Sequence, residues 1–172
     1  MSAKEMDALL GKIAAGDNVA FEEFYIRTKN GVYAFLRSYF INRADIEDVM
    51  QTVYLKVKRG IGGYKRGTNA RAWLLQITKN QALTELEKRK REIPMEEIEI
   101  VASETPTDGV VTDAMERVLT AEERRVVTLH VLWGYKHREI AQMLGCPTGT
   151  ITSKYKRAIA KLREYLKEVE SS

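Results

Sequence analysis

Residues 133–163, WGYKHREIAQMLGCPTGTITSKYKRAIAKLR, decide the fold. They read as two helices joined by a tight turn. The first carries Ile140, Met143 and Leu144 on one face, with Ala141 small enough for close packing. Gly145 supplies the permissive backbone of the turn, which Cys146 and Pro147 complete, and Thr148 is placed to N-cap the second helix. That helix repeats apolar side chains at Ile151, Tyr155, Ile159, Leu162 and Leu166, a spacing of three and four. Its other face shows Thr150, Thr152, Ser153, Lys154, Lys156 and Arg157. Small polar residues at the front of a helix, followed by cations, suit a helix laid in a major groove. Hydroxyls and long side chains reach base edges there while cations hold phosphates. The simpler alternative is a helical hairpin with a solvated basic face.

Working outward, the chain has 172 residues, room for one domain or two small ones. No apolar run approaches a membrane span, so no membrane insertion is expected. The N-terminus lacks the basic-then-apolar pattern of a secretion signal, which predicts a cytoplasmic chain. Cys146 is the single cysteine, and His130 and His137 are the only histidines. That excludes an internal disulfide and argues against a zinc site. No Walker loop, metal-ligand cluster or Ser/His/Asp set stands at a workable spacing. Neither an enzyme, a metal nor a cofactor is expected.

Charge is distributed in blocks. Residues 54–91 carry 11 basic and 2 acidic side chains, whereas 92–113 carry 7 acidic and none basic. Residues 114–172 are basic again, 11 against 7. Two basic surfaces separated by an acidic connector suggest two contacts with one polyanion.

Nearly every segment reads as helix. Met6, Leu9, Leu10 and Ile13 mark a first helix ending near Gly16, and Asp17 can cap the next. That second helix presents Phe21, Phe24 and Tyr25, is broken or bent at Gly31, and continues through Val32, Phe35, Leu36, Tyr39 and Phe40. From Asp45 to about Lys58 the pattern is strongly amphipathic, with Ile46, Val49, Met50, Val53 and Val57 in one stripe. Asp45, Asp48 and Gln51 lie opposite, a face that by itself reads as solvated acid near a helix start.

Residues 59–70, RGIGGYKRGTNA, form a glycine-rich, flexible loop bearing Tyr64, Lys65 and Arg66, and a long helix runs from about Arg71 to Arg91. An aromatic and cations on a loop beside a basic helix are the ingredients of single-strand binding. Trp73 reads as a core residue rather than a stacking platform, and the run Lys88–Arg91 as a helix end that complements the dipole. Residues 92–113 read as a linker, able to span about 75 Å when extended. A short helix follows over Ala114–Leu119. Thr120 and Glu123 fit a capping box for the next, whose apolar positions are Val126, Val127, Leu129 and Leu132.

The stretches FEEFYIRTKNGVYAFL, ADIEDVMQTVYLKVKRGIGGY and ARAWLLQITKNQALTELEKRKR, followed by LTAEERRVVTLHVLWGYKHREIAQMLGCPTGTITSKYKRAIAKLR, carry a family likeness. Across about four fifths of its length the chain resembles sigma factors of bacterial RNA polymerase, of the sigma-70 family and its extracytoplasmic-function (ECF) group. The resemblance implies an all-α fold of two helical domains, region two over 1–91 and region four over 114–172, joined by the acidic linker 92–113. It implies a non-catalytic subunit that binds RNA polymerase core and directs initiation at promoters through the minus-ten and minus-thirty-five elements. Asp45, Asp48 and Gln51 fall where the family meets the clamp helices of the largest subunit. The loop from Tyr64 through Lys65 and Arg66 to Asn69 falls where a flipped minus-ten base is captured. Arg71, Trp73, Lys79 and Asn80 fall where the melted non-template strand is received.

In the second domain, His137, Arg138, Thr148, Thr150, Thr152, Ser153, Lys154, Lys156 and Arg157 fall on the reader of the minus-thirty-five duplex. Among them Thr152, Ser153 and Lys156 face bases, Lys154 and Arg157 face phosphates, and His137 serves as a cap or phosphate contact. Further implied partners are the flap of the polymerase and an anti-sigma factor. Two departures bear on promoter sequence: Thr152 and Lys156 stand where many relatives carry a larger basic or aromatic residue, and TNARAW before and at Trp73 lacks the common aromatic or Ser-Phe pair. The competing reading is a free-standing helix-turn-helix regulator, which leaves the block 54–91 and the acidic helix face without a purpose.

Overall fold

The computed structural model describes residues 1–92 and 110–171, and the side chains of all but 92, 110–113 among them. The chain divides into two compact units, Met1–Ser103 and Glu104–Ser172. Most of the acidic connector read from the sequence lies outside the described residues. No strand occurs among the described residues.

Among the described residues the first unit has four α-helices: α1 (Ala3–Ala14), α2 (Asn18–Leu36), α3 (Arg43–Gly60) and α4 (Ala70–Glu92). Their starts follow local chemistry. Ser2 and Glu5 form a capping box at α1, the Asp17 carboxylate accepts from the Ala20 amide, and the Asn42 side chain accepts from the Ala44 amide. Helix α1 packs on α2, α2 on α3 and α3 on α4, and α4 closes back onto α1 and α2. Leu10, Phe24, Val32, Leu36, Ile46, Val53, Val57 and Leu74 are fully buried between them.

Helix α2 runs unbroken through Gly31, contrary to the sequence expectation. A helical glycine costs about 1 kcal/mol. The burial of Phe24, Thr28, Val32 and Phe35 on one continuous stripe outweighs that cost. The two polar groups on the stripe satisfy each other. Thr28 Oγ1 donates to the Phe24 carbonyl at 2.7 Å, which leaves its lone pair for the Tyr54 hydroxyl at 2.8 Å. Phe21 and Tyr25 contribute less than expected. Phe21 is half-buried beneath Lys58, and Tyr25 is exposed with its ring edge-on to Tyr54 at 4.8 Å.

The second unit has α5 (Val110–Val118), α6 (Ala121–Val127), α7 (His137–Leu144) and α8 (Thr148–Glu170). Helix α5 begins inside the stretch read as linker, because the weak helix formers Val110, Val111 and Thr112 disguise its first turn. The capping box of α6 forms as expected, Thr120 to Glu123 in both directions. Glu123 is itself buried and takes the Lys161 ammonium of α8 at 2.9 Å.

After Val127 the chain widens into a π-type turn over Thr128–Leu132. That turn shifts the helical phase, so Leu132 is 53% exposed rather than buried, while Trp133 is buried in its place. Gly145 ends α7 with φ +65°, a left-handed cap that glycine adopts without strain. The N-cap of α8 is Pro147, not Thr148: the ring holds φ at −62° with ψ extended, and Thr148 is already the first helical residue, one earlier than expected. Ala114, Leu119, Val127, Ala158 and Leu162 form a core beneath α8, where Ala158 supplies a close approach that the apolar spacing did not single out.

Candidate nucleic-acid and polymerase interfaces

On α3 the acidic face is not uniform. Asp48 and Gln51 are exposed, but Asp45 is half-buried against α4. Its carboxylate takes Arg89 Nη1 at 2.7 Å, and Arg89 also reaches Glu85 at 3.2 Å and lies over the Phe40 ring. The hydrogen bond from the Arg89 guanidinium holds the Asp45 carboxyl below its ordinary range. Arg89, read from sequence as part of a solvated basic run, is thus the clasp between α3 and α4. A separation of 44 residues left no local signal of that pairing.

The loop before α4 is held at several points rather than flexible. After a short 3-10 turn over Ile61–Gly63, the Tyr64 hydroxyl donates to Asp7 Oδ1 at 2.7 Å and the Gly67 amide to the same oxygen at 2.9 Å. The Tyr64 ring packs on Trp73, centroids 5.0 Å apart, so Trp73 is half-buried against the loop itself. Thr68 Oγ1 donates to the Lys65 carbonyl at 2.6 Å. Asn69 caps α4, its Oδ1 accepting from the Ala72 amide at 3.0 Å. Arg71 Nη2 donates to the Met1 carbonyl at 2.5 Å. One turn and more along α4, Asn80 accepts from Gln76 at 2.8 Å, and Lys79 is half-buried. Lys65, Arg66, Asn69 and Asn80 are exposed. Loop and helix therefore present cations and amides along one continuous stretch, with Asp7 as an anchor that sequence reading missed.

In the second unit, Ser153, Lys156 and Arg157 are exposed on α8, with Thr150 and Thr152 half-buried. Lys154 is tied to Glu122 of α6 at 2.5 Å. Arg138 and Thr148 line one open depression at the turn, together with Gln142, Cys146 and Pro147.

His137 sits within the motif rather than at its rim. It does not cap α7, since Glu139 Oε2 takes the Lys136 amide at 2.7 Å. Its ring stands 4.6 Å from His130 and 5.0 Å from Tyr155, and His130 stands 4.8 Å from Tyr155. Thr152 Oγ1 donates to the Thr148 carbonyl at 3.1 Å and therefore accepts from His137 Nδ1–H at 3.1 Å. His130 Nδ1 donates to the Tyr135 carbonyl at 2.7 Å. His137 Nε2 is buried without a hydrogen-bond partner among the described residues.

Burial first, and the neighbouring His130 second, lower the His137 pKa from 6.5. The folded chain thus favours neutral imidazole, while the unfolded chain takes up a proton near 6.5. Stability of the second unit should be full above that value and should fall as pH drops through it toward the lowered folded value. A melting series from pH 7.5 to 5.5 checks this, and His137→Phe, which keeps a ring but cannot ionise, should flatten the slope. An equal slope in wild type and variant would contradict it.

The geometry defines an all-helical protein of two units, one pairing an acidic helix face with a basic loop and helix, the other built on a helix-turn-helix. Known proteins supply the family. The sigma-70 region 2 family model matches residues 24–92, and that of sigma-70 region 4 matches 113–162. The chain is 31% identical over 163 residues to the ECF RNA polymerase sigma factor SigM of Mycobacterium tuberculosis, covering 92% of this chain and 83% of that one. It is 29% identical to the ECF RNA polymerase sigma-E factor of Haemophilus influenzae, covering 88% and 89%. Among solved structures it is similar to the sigma factor RpoE of Bartonella quintana in complex with the anti-sigma factor NepR, at TM-score 0.59 and 26% identity over 86% of this chain and 96% of that one. Its fold is also similar to that of CnrH in complex with the cytosolic domain of CnrY, at TM-score 0.57 and 22% identity over 95% of this chain and 98% of that one.

The chain belongs to the sigma-70 family, as an ECF RNA polymerase sigma factor. Its function is that of a sigma factor, directing promoter-specific transcription initiation, and the family is a non-enzymatic one. No helix among the described residues is long and apolar enough to cross a membrane.

Proposed function

We propose that the two units divide the work of initiation, with region two over 1–91, a connector over 92–113 and region four over 114–172. The observation that carries this is the separation of surfaces. Exposed Asp48 and Gln51 share a unit with the anchored basic loop, whereas the exposed Ser153, Lys156 and Arg157 belong to the other. Asp48 and Gln51 are the polymerase contacts, and Asp45 orients that face through Arg89. Tyr64, Lys65, Arg66, Asn69, Arg71, Trp73, Lys79 and Asn80 make up the minus-ten surface, where Trp73 and Tyr64 shape the loop and the cations meet the displaced strand. Thr148, Thr150, Thr152, Ser153, Lys154, Lys156, Arg157 and Arg138 make up the minus-thirty-five surface, and His137 supports it from beneath through Thr152.

The partners are RNA polymerase core and promoter DNA. An anti-sigma factor is a third, by analogy with the complex of RpoE with the anti-sigma factor NepR. The work is done in the cytoplasm, without catalysis by the chain itself.

The test is run-off transcription with purified core polymerase on a promoter library. The wild-type chain should select a two-element promoter that core alone does not use. Asp48→Arg should weaken core binding about tenfold or more, because a reversed charge meets a complementary surface. Its own stability should change by no more than about 0.5 kcal/mol, as expected of an exposed site. Undiminished core affinity of the folded variant in a pull-down would refute the contact.

A further inference from the structure

We propose that Asp7 of α1 is a positioning residue for minus-ten recognition: a single carboxylate oxygen sets the shape of the loop that reads the base. The inference rests on the assignment of that loop to the minus-ten element.

One oxygen, Asp7 Oδ1, receives both the Tyr64 hydroxyl at 2.7 Å and the Gly67 amide at 2.9 Å. These two donors bracket Lys65 and Arg66, so Asp7 closes a short arch on which both cations stay exposed. The arch is braced on the far side by the Tyr64–Trp73 ring contact at 5.0 Å. Helix α1 receives the rest of the loop as well. A Cβ at Gly11, one turn beyond Asp7, would stand 2.8 Å from Arg66 Nε, so the absent side chain leaves room for the guanidinium against the helix. Arg71 reaches the Met1 carbonyl at 2.5 Å.

The helix that provides this platform is itself tied to the bundle. Glu5 takes Arg27 of α2 at 3.3 Å, and Met6, Leu9, Leu10 and Ile13 are buried. The Tyr64 hydroxyl and the Gly67 amide hold the Asp7 carboxyl below its ordinary range, so the anchor stays an acceptor. A loop that must offer its groups to an extruded base gains from being shaped beforehand, because ordering it on binding costs affinity. Asp7 meets no DNA in this scheme and acts through Tyr64 and Gly67.

The experiment measures base preference of the reconstituted holoenzyme on a promoter library randomised separately at the two elements. Asp7→Ala should reduce discrimination at the minus-ten element about fivefold, the scale of losing ordinary hydrogen bonds, with minus-thirty-five preference retained. Asp7→Asn keeps an acceptor oxygen at the same place and should restore most of the discrimination. Tyr64→Phe keeps the ring on Trp73 but removes the donor. It should act in the same direction as Asp7→Ala, and the double variant should be no worse than the poorer single one.

Lys65→Ala separates the two ideas. If it alters minus-ten preference while Asp7→Ala and Tyr64→Phe do not, the positioning role is overturned and the loop assignment stands. If none of the three alters that preference, the loop assignment itself fails. Asp7→Asn as damaging as Asp7→Ala would overturn positioning through the acceptor oxygen. Should Asp7→Ala fail to fold, Tyr64→Phe carries the decision by itself.

Discussion

Phe24→Ala is expected to destabilise the first helical unit by about 3–5 kcal/mol, the usual range for emptying a buried aromatic site. Phe24 is fully buried in α2 and stands edge-on to Tyr54 of α3 at 6.4 Å. Its loss leaves a cavity beside the Thr28–Tyr54 hydrogen bond, which joins α2 to α3 at 2.8 Å. A small domain has only about 5–15 kcal/mol in total, so the variant should open readily at low denaturant. Hydrogen exchange read by peptide mass should show lost protection in α2, α3 and α4, with α7 and α8 unaffected. Core polymerase binding should fall in parallel, since the Asp48 face rides on α3. Phe24→Leu should lose much less because it refills most of the volume. Unchanged protection in α3 of Phe24→Ala would show that the site collapses without consequence.

The recognition helix should give the second large effect, and there the consequences divide by residue. Ser153→Ala and Lys156→Ala should each change which bases are preferred upstream, by about 1–3 kcal/mol where a good base contact is lost. Arg157→Ala should instead weaken binding across all sequences and reduce the salt slope by about one. Lys154 stands apart from Arg157 because it is already bound to Glu122 at 2.5 Å. Removing it frees the acid as well as losing a cation, so Lys154→Ala with Glu122→Gln should bind better than Lys154→Ala alone. Affinity measured on a randomised site at several salt concentrations separates these outcomes. If all four residues behave alike, the division into base and phosphate contacts is wrong.

The free-standing regulator considered from sequence gains no support from the first unit. That reading leaves Asp48, Gln51 and the anchored loop idle, whereas the region 2 match spans both stretches.

The sequence by itself determined what short-range rules determine. The cap at Asp17, the Thr120–Glu123 box and the glycine turn at Gly145 each depend on residues a few positions apart. So do the apolar stripe of α3 and the blocks of charge, and the motif stretches were enough to place the family. Tertiary structure decided which of the polar residues are available. Asp45 is held by Arg89 across 44 positions, and Tyr64 by Asp7 across 57. His137 is drawn under α8 by Tyr155 and Thr152 rather than left at the surface. Leu132 turns outward because a π-type turn changes the helical phase just before it. A periodic pattern reports which face of a helix is apolar, but not which distant side chain stands opposite a given charge. That depends on how the helices cross, and it is settled only when the core closes.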